Sequence, residues 1–144
     1  MKIVIVDDEP KIRNGLSKLL SSRPGFEIIG VFENAMEALE QLSVSYADVI
    51  ITDIKMPEIN GLDLINRIRE KDENTKIIIL SGYSDFSFAQ RAIELGVTRY
   101  LTKPTNAREL IGILEEIEKN IQKPRSEEKQ EMKVLIIGHG KVGS

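Results

Sequence analysis

Five short runs of apolar, mostly β-branched residues recur along the chain, and each is followed by a segment whose apolar residues repeat at helical spacing. Ile3-Val4-Ile5-Val6 is the first run. The second is about Phe26 to Phe32, the third Val49-Ile50-Ile51, the fourth Ile77 to Leu80 and the fifth about Thr98 to Leu101. They lie about 22 to 28 residues apart, which leaves room for one helix between neighbours. Such alternation predicts an α/β fold: a doubly wound, five-stranded parallel sheet with helices on both faces. The runs are continuous rather than alternating, as in strands buried on both sides.

The helical segments carry their own punctuation. Ile12, Leu16, Leu19 and Leu20 make one apolar face, and Pro10 stands where a first-turn proline is tolerated. Asn34 reads as an N-cap, with Glu37 as the return half of a capping box, before Ala35, Ala38, Leu39 and Leu42. Asn60-Gly61 opens a helix carrying Ile65 and Ile68. Phe88, Ala89, Ala92 and Ile93 line the next one, and Gly96 ends it in the C′ role. Asn106 and Glu109 repeat the capping-box spacing before Leu110, Ile113, Leu114, Ile117 and Ile121, the clearest amphipathic pattern in the chain.

Composition removes several function classes. The 144 residues include no Cys, which excludes disulfide frameworks, thiolate catalysis, Cys-ligated zinc and iron–sulfur clusters; the single His excludes multi-His metal sites. Apolar runs reach only about four residues, far short of the roughly 18 a membrane span needs, and the first run is too short for a signal peptide. The expected address is the cytoplasm. Residues 123–144 hold five basic and three acidic side chains, so the first 122 carry −5 of the net −3. A body this acidic lacks the basic footprint of a nucleic-acid binder, so no direct nucleic-acid binding by this chain is expected.

In open parallel sheets, functional groups gather at the carboxyl ends of strands. Here those positions hold Asp7-Asp8, Asp53, Ser81-Gly82 and, after Thr102, Lys103-Pro104. Each alone has an ordinary reading: a helix cap, a turn, a solvated lysine, or packing for nearby Tyr100. Together they bring three carboxylates, a hydroxyl and an ammonium to one mouth of the sheet. Crowded carboxylates repel, and a hard divalent cation with oxygen ligands removes that cost. A carboxylate is also a usable nucleophile toward phosphorus, and phosphoryl transfer asks mainly for positioning and charge neutralisation.

These residues carry a resemblance. Val6-Asp7-Asp8-Glu9-Pro10, Asp53-Ile54-Lys55-Met56-Pro57 with Gly61, Ser81-Gly82, and Tyr100-Leu101-Thr102-Lys103-Pro104 resemble the receiver domain of bacterial two-component response regulators over about residues 1 to 122. The stretch Ser81-Gly82-Tyr83-Ser84-Asp85-Phe86 resembles receivers fused to AraC-type DNA-binding domains. The resemblance implies a flavodoxin-like strand order, 2-1-3-4-5. It implies that Asp53 is the phosphoacceptor, and that Asp8, Asp53 and the Lys55 backbone carbonyl ligate Mg²⁺ (or Mn²⁺), with Asp7 assisting through water. It implies that Lys103 pairs with the phosphoryl group, that Ser81 hydrogen-bonds it, and that Tyr100 reports the switch. Lys55 and Tyr83 match positions that tune dephosphorylation, and Lys103-Pro104 would be a cis peptide. The implied partners are a sensor histidine kinase, an output domain outside this chain, and a second copy through the face of helix 4, strand 5 and helix 5. A receiver is a switch that catalyses only its own modification, not an enzyme with a separate substrate.

Two rivals stay open. One is a Mg²⁺-dependent phosphohydrolase with an Asp nucleophile, although such enzymes place it at strand 1 in a D-x-D pattern. The other uses the tail. After a charged, linker-like stretch (123–131), Met132-Lys133-Val134-Leu135-Ile136-Ile137 and Gly138-x-Gly140-x-x-Gly143 give the dinucleotide-binding spacing, with no helix or distant acidic residue after it. The tail (132–144) reads as the opening of a second domain, as non-native sequence, or as a disordered extension. His139 in it is expected to be inert.

Overall fold

The computed structural model describes residues 1–82 and 85–121. Its strands are β1 (Lys2–Val6), β2 (Glu27–Phe32), β3 (Val49–Thr52), β4 (Lys76–Ser81) and β5 (Arg99–Thr102). Its helices are α1 (Pro10–Ser21), α2 (Ala35–Val44), α3 (Gly61–Arg69), α4 (Phe86–Glu94) and α5 (Ala107–Asn120). Each of the five apolar runs within the described residues is a strand, and each periodic segment after them is a helix. Tyr83 and the whole of the proposed linker and glycine-rich tail, His139 included, lie outside the described residues.

The five strands are all parallel and follow the order β2-β1-β3-β4-β5. This is the flavodoxin-like doubly wound sheet. The strand ends differ slightly from the hydropathy reading. β3 takes in Thr52, β4 takes in Ser81, and β5 runs Arg99–Thr102 instead of about Thr98 to Leu101. These polar residues join because their backbones pair across the sheet, Val6 with Thr52 and Ser81 with Thr102. Backbone pairing leaves no trace in hydropathy.

The core lies on the three central strands. Ile3–Val6, Val49–Ile51 and Ile77–Leu80 are at most 2% exposed, and burying each such side chain stabilises by about 1.5–3 kcal/mol. β2 and β5 are only part-buried, so burial on both faces holds for the centre and not for the edges. Leu64, Ile65 and Ile68 of α3 and Ala35 and Ala38 of α2 join the same apolar cluster.

Helix ends follow the sequence cues with two corrections. The Asn34 Oδ1 accepts from the Glu37 backbone N–H at 2.9 Å, but Glu37 Oε1 accepts in return from the Asn34 side-chain amide, at 3.2 Å, where a capping box uses the backbone N–H. On α4, Ala92 and Leu95 are buried while Ile93, expected on the packed face, is 78% exposed. The packed stripe runs Phe88–Ala92–Leu95, and Ile93 is one residue, about 100°, past it. Gly96 closes α4 as expected. At φ +69° it donates to Ile93 O, and Val97 donates to Ala92 O, the paired bonds of a Schellman cap. The Arg69 guanidinium covers the same end, donating to Leu95 O at 2.8 Å and Gly96 O at 3.1 Å.

Met1–Ile111 is one compact unit that holds the sheet, α1 to α4 and the start of α5. From Gly112 a second unit carries α5 on to Asn120, with Leu114 and Ile117 buried on it. Among the described residues, no helix is long and apolar enough to cross a membrane.

Candidate functional site

Parallel pairing brings the carboxyl ends of the central strands to one edge. Val6 pairs with Thr52, Thr52 with Ile79, and Ser81 with Thr102. The residues next in the chain, Asp7, Asp53 and Lys103, therefore emerge side by side. Backbone hydrogen bonds hold each one: Asp7 N donates to Phe32 O, Asp53 N to Val6 O, and Lys103 N to Ser81 O. The Lys103–Pro104 bond is cis.

Asp53 is buried, and local hydrogen bonds fix both its carboxylate and its backbone. Ile54 N donates to Asp53 Oδ1 at 2.7 Å, and the Thr52 hydroxyl donates to Asp53 O at 2.8 Å. Gly61, the first residue of α3, passes so close that a Cβ there would stand 1.9 Å from Asp53 O. Only a residue without a side chain fits, which explains Asn60-Gly61 as the start of α3. The loop between turns at Glu58, where φ is +67° and Ile59 N donates to Pro57 O. That is the rarer, strained form of γ-turn, of the kind that concentrates at functional sites.

Lys103 ties the site together. Its Nζ lies 2.9 Å from Asp7 Oδ2, 2.8 Å from Glu9 Oε1 and 3.0 Å from Asp53 Oδ2. Burial pulls the ammonium down, but the three carboxylates together hold it well above the ordinary lysine value. Burial pushes the Asp7 carboxyl up, outweighing the Glu9 N–H and Lys103. The two directions are compatible, because one ammonium divided among three carboxylates does not offset the burial of Asp7's own charge.

The carboxylates of Asp7, Asp8, Glu9 and Asp53 each place an oxygen within 4.8 Å of the others. The donor set is all hard oxygen, and four negative charges face one positive charge. That chemistry fits a hard divalent cation such as Mg²⁺ and offers nothing to a soft metal.

Ser81 is fully buried at the end of β4. Burial pushes the Tyr100 phenol up, and a side-chain hydrogen bond with Ser81 acts against that shift. The two residues expected to switch together are thus in direct contact. The Lys55 ammonium lies 5.2 Å from the centroid of the Phe88 ring, so its side chain reaches from the β3–α3 loop to α4.

Comparison with known proteins agrees with this geometry. The family model of the response regulator receiver domain matches residues 3–115. The chain belongs to this family. The receiver domain is 37% identical over 117 residues to the transcriptional regulatory protein YesN of Bacillus subtilis, covering 81% of this chain and 32% of that protein. It is 36% identical over 127 residues to the transcriptional regulatory protein HptR of Staphylococcus aureus, covering 88% of the chain and 50% of the relative. The chain therefore spans about a third to a half of the length of these relatives. Among solved structures, the response regulatory domain of protein mrkE from Klebsiella pneumoniae superposes with a TM-score of 0.77 at 28% identity, covering 83% of this chain and 97% of that one. A LuxR-family DNA-binding response regulator from Staphylococcus aureus does so with a TM-score of 0.75 at 26% identity, covering 81% and 97%.

The structure brings Asp7, Asp8, Asp53 and Lys103 into one cluster and Ser81 and Tyr100 into another. Sequence reasoning gave no role to Glu9, although it stands directly after Asp7-Asp8. Its adjacency was the available signal. The Lys55–Phe88 contact had no signal, since it joins two elements 33 residues apart.

Proposed function

We propose that this receiver is a phosphorylation-operated switch whose acceptor is Asp53. The observation that carries the reading is the buried Asp53 carboxylate, with Oδ2 3.0 Å from Lys103 Nζ at a mouth lined by further carboxylates. An Asp53 oxygen attacks the phosphorus of a phosphohistidine on a partner kinase, and the phosphorus–nitrogen bond breaks. Lys103, already within hydrogen-bond reach, pairs with the added phosphoryl charge. Asp8, Asp53 and the Lys55 backbone carbonyl would hold Mg²⁺ or Mn²⁺, with Asp7 acting through water. Such an ion, when bound, neutralises charge on the phosphoryl oxygens. Lys55 and, at its matching position, Tyr83 limit the approach of a hydrolytic water and so set the lifetime of the modified form.

The new charge of about −1.5 to −2 draws the Ser81 hydroxyl inward and frees Tyr100 from it. The face of α4, β5 and α5 then changes its preference between partners, a population shift in a bistable element. Its occupants are a second copy of the chain and an output domain that is probed best as an AraC-type, DNA-binding transcriptional module. Residues 1–122 serve as the receiver and 123–131 as a linker, with 132–144 left as the opening of a second domain, non-native sequence or a disordered extension. The setting is the cytoplasm, where the kinase delivers its phosphoryl group.

The test is incubation with Mg²⁺ and acetyl phosphate, followed by intact mass measurement, with Asp53→Asn alongside. One added phosphoryl group in the unaltered chain and none in the variant is expected. No adduct, under conditions that modify another receiver, overturns the reading.

A further inference from the structure

Glu9 occupies the N-cap position of α1, with φ −89° and ψ 114°, yet its side chain makes no cap hydrogen bond. Side chains at this position ordinarily accept from the first turn of their own helix. Glu9 Oε1 instead accepts from Lys103 Nζ, 94 residues away, at 2.8 Å. The three partners of that ammonium differ in depth. The side chains of Asp7 and Asp53 are 2% and 6% exposed, and that of Glu9 is 57% exposed. One of the three N–H groups is therefore committed to the rim. Two are left for the buried pair.

The ammonium and a divalent cation compete for the same carboxylate oxygens. An ammonium centred on Asp7 and Asp53 blocks them, whereas one held toward the rim meets only their Oδ2 atoms and leaves a lone pair on each Oδ1, which accepts a single backbone N–H, from Glu9 on Asp7 and from Ile54 on Asp53. We propose that Glu9 is a positioning residue that draws the Lys103 ammonium toward the mouth of the pocket and thereby keeps Asp7, Asp8 and Asp53 open to Mg²⁺. The inference rests on the Mg²⁺-dependent switch proposed for this site and adds a residue to it. A plain field effect of the Glu9 charge also favours cation binding, but it acts without Lys103, so the two accounts separate.

The experiment is calorimetric titration of Mg²⁺ alone into the metal-free chain, as a cycle of the unaltered protein, Glu9→Gln, Lys103→Met and the double variant. Thermal unfolding without metal checks that each is folded. Glu9→Gln is expected to raise the Kd for Mg²⁺ about threefold to fivefold, the scale of one partly exposed ion pair. In the Lys103→Met background the same change is expected to do nothing, because the group Glu9 acts on is gone. Should Lys103→Met fail to fold, Glu9→Asp replaces it: the charge stays but the reach shortens, and weakened binding is again expected. An unchanged Kd in Glu9→Gln, equal weakening in both lysine backgrounds, or an unaltered Kd in Glu9→Asp overturns the proposal. No Mg²⁺ binding by the unaltered chain overturns the metal reading itself.

Discussion

Lys103 Nζ and Asp53 Oδ2, 50 residues apart in the chain, lie 3.0 Å from each other and are both largely withdrawn from water. The pair joins two parallel strands that are not neighbours, since β4 lies between β3 and β5. Its geometry is set by the sheet, and its energetics by the fact that the ammonium serves Asp7 and Glu9 as well.

Lys103→Ala is expected to leave the Asp7 and Asp53 carboxylates buried without their cation. A buried charged group that loses its partner costs about 1–3 kcal/mol or more. Thermal unfolding in chelator should show the loss, and added Mg²⁺ should recover much of it. A variant as stable as the parent in chelator would mean that the carboxylates do not depend on Lys103.

Asp7→Asn is expected to stabilise the metal-free protein at pH 7. The Asp7 carboxyl is held above its ordinary 3.8 by burial, so its contribution is fully present below 3.8 and is lost as pH rises through the raised value. At pH 7 the charged form is a burden that the amide lacks. The melting temperature should rise by a few degrees, and the advantage should fade as pH falls from the raised value toward 3.8 and be gone below it. A variant less stable at pH 7 would contradict the sign.

Lys103 governs the alkaline side. It is held above the ordinary 10.5 by its carboxylates despite its burial. Its contribution is therefore complete below 10.5 and is lost only as pH rises through the higher folded value. Base titration followed by circular dichroism should show Lys103→Met losing its stability deficit only in strongly alkaline solution.

Gly61→Ala is expected to disturb the site and not only the helix. Its Cβ would meet Asp53 O at 1.9 Å and Ile54 Cα at 3.0 Å, both backbone atoms that cannot swing aside. Overpacking of this kind costs about 1–3 kcal/mol. The same shift moves Asp53, so modification by acetyl phosphate should slow in parallel.

Arg69→Gln is expected to loosen α4 at its C-terminal end, where the guanidinium serves Leu95 O and Gly96 O. Lost charged hydrogen bonds of this kind cost about 1–3 kcal/mol. Faster hydrogen exchange of the last α4 amides checks this, and Arg69→Lys should not rescue it, since an ammonium cannot reproduce the fork.

Much of this was legible in the sequence, for identifiable reasons. The strands of the sheet centre are continuous apolar runs because both faces are covered, and the caps at Asn34, Asn60 and Asn106 announce their helices. The carboxylate–lysine cluster was legible because Asp7, Asp53 and Lys103 each come directly after a strand, and strand ends in a parallel sheet converge. What escaped depends on approach between distant elements. Ile93 satisfies helical spacing as well as Ala92 does, yet only Ala92 meets the sheet. Glu9 carries no signal of its own in the sequence beyond its place after Asp7-Asp8, and only the position of Lys103 reveals where its carboxylate is directed.

The strand order has a consequence for synthesis of the chain. A nascent polypeptide that has emerged only through β3 already holds Asp7, Asp8, Glu9 and Asp53 but not the lysine that answers them. The ammonium arrives with β5, after β4 has docked between. A truncated or stalled product thus carries the carboxylate cluster without its counter-charge, so the balanced site exists only once the whole sheet has been made.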